Sequence, residues 1–166
     1  MPERLIDVPI ETLPFVDEHS IEVNARVDRI WDALLAVMGN FGGRPARPIA
    51  RGLGCLPIER SPRFGDIGTT VPGFIVTRAV PPAVLALMGE HRYSRYALIF
   101  RIAAEQPNGR LPRLSAETRA EFPGRAGAMY RGLVIGTHGH VLATSSILRS
   151  VRRLSERTGS EEGSSP

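Results

Sequence analysis

The side chains able to do chemistry are few and far apart. The chain of 166 residues holds four histidines, His19, His91, His138 and His140, and one cysteine, Cys55. His138 and His140 stand two positions apart, which on a helix aims them about 200° away from each other, so they cannot hold one metal ion together. His19 and His91 fall on a distant strand and a turn, and no metal site is expected. Cys55 lies in GLGCLPI, among apolar neighbours and with no adjacent base, and reads as a small buried hydrophobe. No G-x-S-x-G elbow occurs, and the glycines of RGLG and FGG match neither a dinucleotide fingerprint nor a phosphate loop. What remains is general acid–base chemistry, which needs a titratable group aimed into an apolar pocket where burial shifts its pKa. The candidates are His138 or His140, with Tyr96 or Tyr130; no catalytic residue is assigned, and His140 and Tyr130 are the candidates carried forward.

These groups must be placed by elements that the spacing of apolar residues predicts. In 16–24, Glu18, Ser20, Glu22 and Asn24 alternate with His19, Ile21 and Val23, which predicts a half-buried strand. Val27, Ile30, Trp31, Leu34, Leu35 and Met38 recur at three and four residue spacings, predicting an amphipathic helix capped by Asn24 and closed by Gly39. Residues 39–68 are rich in Gly, Pro and Arg and show no long element. Residues 69–80 read as a β-branched strand, Pro81-Pro82 interrupt it, and another strand follows up to a turn at HRYS. Two alternating segments then form a hairpin: Tyr96, Leu98, Phe100 and Ile102 share a face with Leu114, Ala116, Thr118, Ala120 and Phe122. On the opposite, wet face, one of two allowed registers sets Arg101 across from Glu117.

From Arg125 to about Arg157 no proline occurs, and one long helix is expected. Gly132, Gly136, Gly139 and Ala143 are spaced four, three and four, so they form a stripe without side-chain bulk. Each glycine costs about 1 kcal/mol against alanine inside a helix, so the stripe implies close approach to something. His140 neighbours this stripe and is expected inside, whereas His138 falls with Ile135 and Leu142 on another face. Small residues on one strand, Ala116, Thr118 and Ala120, opposite bulky ones on the next leave either close backbone packing or an open space.

Composition bounds the rest. The hydrophobic fraction of 42% and charged fraction of 23% are ordinary for a globular chain, and the length suits one domain. One cysteine precludes an internal disulfide, and no apolar run reaches the ~20 residues of a membrane span. No secretory leader is recognisable at the N-terminus, so a cytoplasmic location is expected. All 21 basic residues are arginine, which removes Schiff-base and phosphate-loop lysine chemistry. The arginines are scattered, with Arg149, Arg152, Arg153 and Arg157 the one cluster, and no nucleic-acid partner is expected. Nothing sets an oligomeric state. Residues 1–15 are read as an extended N-terminal arm, 16–157 as the domain, and 158–166 as a disordered tail.

The order of elements, with the phrases HSIEVNARVDRIWDALLAV, HRYSRYALIFRI, RLSAETRAEFPG and YRGLVIGTHGHVL, resembles the START-like or SRPBCC superfamily, in particular bacterial polyketide cyclase or dehydratase-like members. The resemblance covers about residues 16–155. It implies an α+β helix-grip fold, a curved antiparallel β-sheet wrapped around a long C-terminal helix with an apolar cavity between. It also implies a hydrophobic ligand, lipid- or polyketide-like, and no cofactor. The cavity lining then expected is Phe74, Tyr96, Leu98, Phe100, Ala116 and Thr118 from the strands, Trp31 from the first helix, and Tyr130, Leu133, Gly136 and His140 from the last. Two alternatives stand beside a binding role. A cyclase or dehydratase would use a cavity histidine or tyrosine; a non-enzymatic modulator of a protein partner would have a filled core and an exposed apolar patch.

Overall fold

The computed structural model describes residues 5–42, 51–52, 54–105, 109–125, 127, 129 and 139–162, with the side chains of 139–140 and 158–162 left aside. Six strands form one antiparallel sheet in the order β1-β6-β5-β4-β3-β2. They are β1 (Phe15–Glu22), β2 (Thr70–Val71), β3 (Phe74–Val80), β4 (Val84–His91), β5 (Ser94–Ala103) and β6 (Arg113–Glu121). Helix α1 (Val27–Gly39) and the C-terminal helix α2 (Gly139–Glu162) lie against the concave face of this curved sheet, which makes the fold α+β and helix-grip.

The concave core follows from two-residue alternation in the strands and helical spacing in α1 and α2. Leu98, Phe100 and Ile102 of β5 join Leu114 and Ala116 of β6, Leu85 and Leu87 of β4, and Val76 of β3. Ile30, Trp31, Leu34 and Met38 of α1, with Ile147, Leu148 and Val151 of α2, close over them. Phe100 is wholly buried here; removing such a side chain from water stabilises by roughly 1.5–3 kcal/mol.

Several expectations are corrected. Asn24 does not cap α1: the N-cap is Arg26, without a side-chain cap bond, and the Asn24 N–H instead donates to Glu156 of α2 at 3.1 Å. Residues 69–80 are two strands, because Pro72-Gly73 make a turn in which Gly73 takes φ +87°, a conformation open to glycine. In the register Arg101 stands opposite Ser115 rather than Glu117, and its side chain reaches Glu117 diagonally. A slip of two residues keeps every side chain on its own face, so the apolar pattern alone cannot select the register. The first residues are not simply extended. They turn through a short 3-10 helix (Ile10–Thr12) and lay Leu5, Ile10 and Leu13 on Ile75, Ala86, Met88, Ala97 and Ile99. The outer face expected to be wet is therefore covered at its centre. Finally, α2 runs on to Glu162 into the expected tail, since extending an existing helix gains a hydrogen bond per residue fixed.

Candidate functional site

The concave face divides along its strands. Toward Glu22, the end of β5 and the start of β6, the core is filled by α1 and the later turns of α2. Toward Phe15, the hairpin of β4 and β5 and the start of α2, the lining becomes aromatic and polar.

All six expected strand residues lie on this concave face, Leu98, Phe100 and Ala116 within the filled core itself. Tyr96, Leu98 and Phe100 alternate along β5, facing Ala120, Thr118 and Ala116 of β6. Phe74 joins them, its ring in edge contact with Tyr96 at 5.2 Å and with Phe41 at 5.7 Å. Trp31 sits within the filled core on α1. Tyr130, Leu133 and Gly136 lie outside the described residues, and so does the side chain of His140, whose backbone is in the first turn of α2. The small-residue stripe does not mark the buried face of α2 where it is described: Ala143 is exposed, and Thr144, Ile147, Leu148 and Val151 are buried. Larger apolar side chains gain more by leaving water and so decide which way the helix turns.

The position of Tyr96 has a local cause. A Cβ added at Gly89, its partner on β4, would lie 1.9 Å from the Gly73 carbonyl oxygen and 2.7 Å from the Tyr96 ring. Only glycine leaves room for the tyrosine to lie across the strand and donate its hydroxyl to the Gly73 carbonyl at 2.9 Å. Cys55 is 8% exposed; burial pushes its thiol pKa up, against a smaller opposing hydrogen bond with Tyr96. That is an inert thiol, as its sequence context indicated. His91 ends β4 with its ring 5.6 Å from that of Tyr96. Burial lowers its pKa, and its Nδ1 accepts the Tyr93 N–H at 3.1 Å. The neutral ring with its proton on Nε2 is the form that fits.

Thr118 differs from every other expected lining residue. Its hydroxyl oxygen is buried and has no hydrogen-bond partner among the described residues. A buried hydroxyl left unpaired costs about 1–3 kcal/mol. Opposite it on β1 stands Asp17, and opposite Ala116 stands His19. Directly paired strand residues hold their Cβ atoms about 4.5–5.5 Å apart on one face. His19 and Asp17 therefore share the concave face with Thr118, and their side chains meet at 3.1 Å, Nε2 to Oδ2. Sequence reasoning placed His19 on the apolar side of its strand but weighed it only as a metal ligand. The signal was present: an aspartate and a histidine two apart, in phase with Ile21 and Val23.

Among the described residues, no three His, Cys, Asp or Glu side chains are grouped to hold a metal ion, and no helix is long and apolar enough to cross a membrane. A recess of about 840 Å³ opens at the other end of the molecule, between the start of α1 and Leu111-Pro112. Within its wall Arg26 pairs with Asp28 at 2.8 Å.

No family model matches this chain, and no curated protein matches it. Solved structures do. The di-domain ARO/CYC StfQ from the steffimycin biosynthetic pathway is similar over 87% of this chain and 51% of its own, at 17% identity and a TM-score of 0.52. A point mutant of norcoclaurine synthase from Thalictrum flavum, in complex with a transition-state analogue, is similar over 89% of this chain and 99% of its own, at 16% identity and a TM-score of 0.50. SA2116 of Staphylococcus aureus, a protein of unknown function, is similar over 90% and 99%, at 9% identity and a TM-score of 0.52. At these identities the likeness is one of fold.

Proposed function

We propose that this protein binds an apolar or amphipathic small molecule, lipid- or polyketide-like, between the concave face of the sheet and the C-terminal helix. The observation that carries the reading is the buried, unpartnered hydroxyl of Thr118, set among Leu98, Ala116 and Ala120. Ligand sites are mostly apolar with a few polar groups that fix orientation, and this wall has that composition. StfQ belongs to a biosynthetic pathway and norcoclaurine synthase was solved with a transition-state analogue, so proteins of this fold handle small organic molecules. Burial supplies most of the affinity, at about 25 cal/mol per Å² of apolar surface. Tyr96 and Thr118, with Tyr130 and His140, orient the polar end.

The test is a titration of the full chain with naphthalene and with 2-tetralone, a bicyclic ketone of similar size, followed by methyl NMR. The expected result is saturable shifts at Leu98, Ala116, Thr118 and Ala120, with 2-tetralone the tighter of the two. Absence of saturable shifts at these methyls up to the solubility limit of both probes overturns the reading. A second reading, an enzyme using a cavity histidine, is favoured by the Asp17–His19 pair.

A further inference from the structure

We propose that His19, held by Asp17 and facing Thr118, is a proton-transfer centre acting on a ketone with an acidic C–H beside its carbonyl. The inference rests on the binding reading above and deepens it by assigning the reacting end.

The geometry is set by β1 and β6. Asp17 and His19 are two apart on one strand, so they point the same way, and a register shift between Phe15 and Asp17 precedes them. A carboxylate only accepts hydrogen bonds, so the 3.1 Å contact fits the His19 tautomer with its proton on Nε2. The neutral ring then carries its lone pair on Nδ1, the nitrogen that a base uses. Both side chains are partly accessible, 31% for His19 and 20% for Asp17, so a ligand can reach them. Thr118 pairs with Asp17 and lies diagonally from His19 across the strand pair, about 7–8 Å between backbones and within reach of a small ligand bridging both. Thr118 as a residue is partly exposed although its hydroxyl oxygen is not. A threonine hydroxyl turns between staggered positions about χ1, so a ligand seated on this face can meet it.

The reaction balances without a co-reactant. Nδ1 of His19 takes the proton, the C–H bond breaks and an N–H bond forms. The C–H electron pair moves into a carbon–carbon double bond as the carbonyl becomes an enolate, and the Thr118 hydroxyl donates to the enolate oxygen. Asp17 stabilises the imidazolium and holds its orientation; it is a positioning residue. The proton then returns from Nδ1 to carbon, or to a second carbon conjugated with it, so the net change is exchange or isomerisation.

The experiment is exchange of the C–H protons of 2-tetralone into heavy water, followed by proton NMR, for the full chain against free imidazole at equal concentration. The wild type is expected to exceed imidazole by at least about a hundredfold, the low side of general-base catalysis. His19→Gln is expected to fall to the imidazole level while still binding 2-tetralone, and Asp17→Asn to fall about three- to tenfold. The nitrogen-15 spectrum of His19 is expected to show the Nε2–H form in the wild type and a mixture in Asp17→Asn, a change that loss of packing alone does not produce. If 2-tetralone binds but the wild type does not exceed imidazole, or His19→Gln keeps the wild-type rate, the inference is overturned and the binding reading stands. A wild-type Nδ1–H form also overturns it. If neither 2-tetralone nor naphthalene binds, both fall. Should His19→Gln fail to fold, the rate and spectrum of Asp17→Asn decide.

Discussion

Glu117 and Thr118 are neighbours on β6 that point to opposite faces of one sheet, and their surroundings differ sharply. On the outer face Glu117 is only 7% exposed and fully engaged: Arg101 donates to it at 2.6 Å and Arg119 also pairs with it. Arg119 goes on to donate to the Leu13 carbonyl at 3.0 Å, tying the ion network to the N-terminal arm. On the concave face the Thr118 hydroxyl oxygen is buried and unpaired. A chain that satisfies a buried charge with two guanidinium groups on one side leaves a simple hydroxyl unsatisfied one residue later. Stability alone does not produce that difference, because valine would fit the threonine's volume without the cost. At this point of β6 the outer face ties its charge down and the concave face leaves a hydroxyl unpaired, the difference that the proposed ligand accounts for.

The largest effects test how firmly each face is packed. Phe100→Ala is expected to destabilise by about 3–5 kcal/mol, read from the urea midpoint, because α1 and α2 pin the site from above. Ile99→Ala, one residue away and under the arm, is expected to cost about 2 kcal/mol, the low end for such a truncation, because a short arm can settle into the gap. Equal losses would mean that the arm is as rigid as the helices and would remove the packing half of the contrast.

Next comes the ion network. Burial by itself raises the Glu117 carboxyl, but the hydrogen bonds and charges of Arg101 and Arg119 outweigh it and hold its pKa below the ordinary carboxylate value. The stabilisation is therefore complete above the pKa of the unfolded chain and is lost as pH falls through the lower folded value. Glu117→Gln is expected to cost about 2–3 kcal/mol at neutral pH, below the cost of breaking a wholly buried pair because Arg101 is half exposed. Stability measured against pH is then expected to fall less steeply on the acid side than in the wild type. An unchanged acid limb would show that Glu117 is not the group whose protonation loosens the outer face.

The same contrast explains what could be read beforehand. The alternation in β1, β5 and β6 and the apolar spacing of α1 are dictated by burial on one face, and that signal lies within each segment. The cover over Ala97 and Ile99 comes from Leu5, Ile10 and Leu13, more than eighty residues away, and no local period announces it. The two-residue register choice between β5 and β6 was invisible for the reason that makes it harmless to the faces. Within the candidate site, Tyr96, Leu98, Phe100, Ala116 and Thr118 were legible as one surface because a single hairpin carries them. Asp17 and His19 were not, because they reach Thr118 and Ala116 across a pairing of chain ends a hundred residues apart. The glycine stripe misled at Ala143 because spacing identifies a face without saying which neighbour wins it.

The smallest effect on stability is the most telling. Thr118→Val keeps the shape of the side chain and removes the unpaired hydroxyl, so the unliganded protein is expected to gain about 1 kcal/mol. Affinity for 2-tetralone is expected to drop about three- to tenfold, a loss of one hydrogen bond, while naphthalene, which has no acceptor, binds as before. A structural hydroxyl and a ligand-facing hydroxyl predict opposite signs here. If Thr118→Val lowers the urea midpoint and leaves both affinities unchanged, the hydroxyl serves the fold, and the two faces of β6 differ only in what covers them. If the midpoint rises while the ketone alone is lost, the chain forgoes stability at that position in favour of recognition, and the unsatisfied side of the sheet is the side that functions.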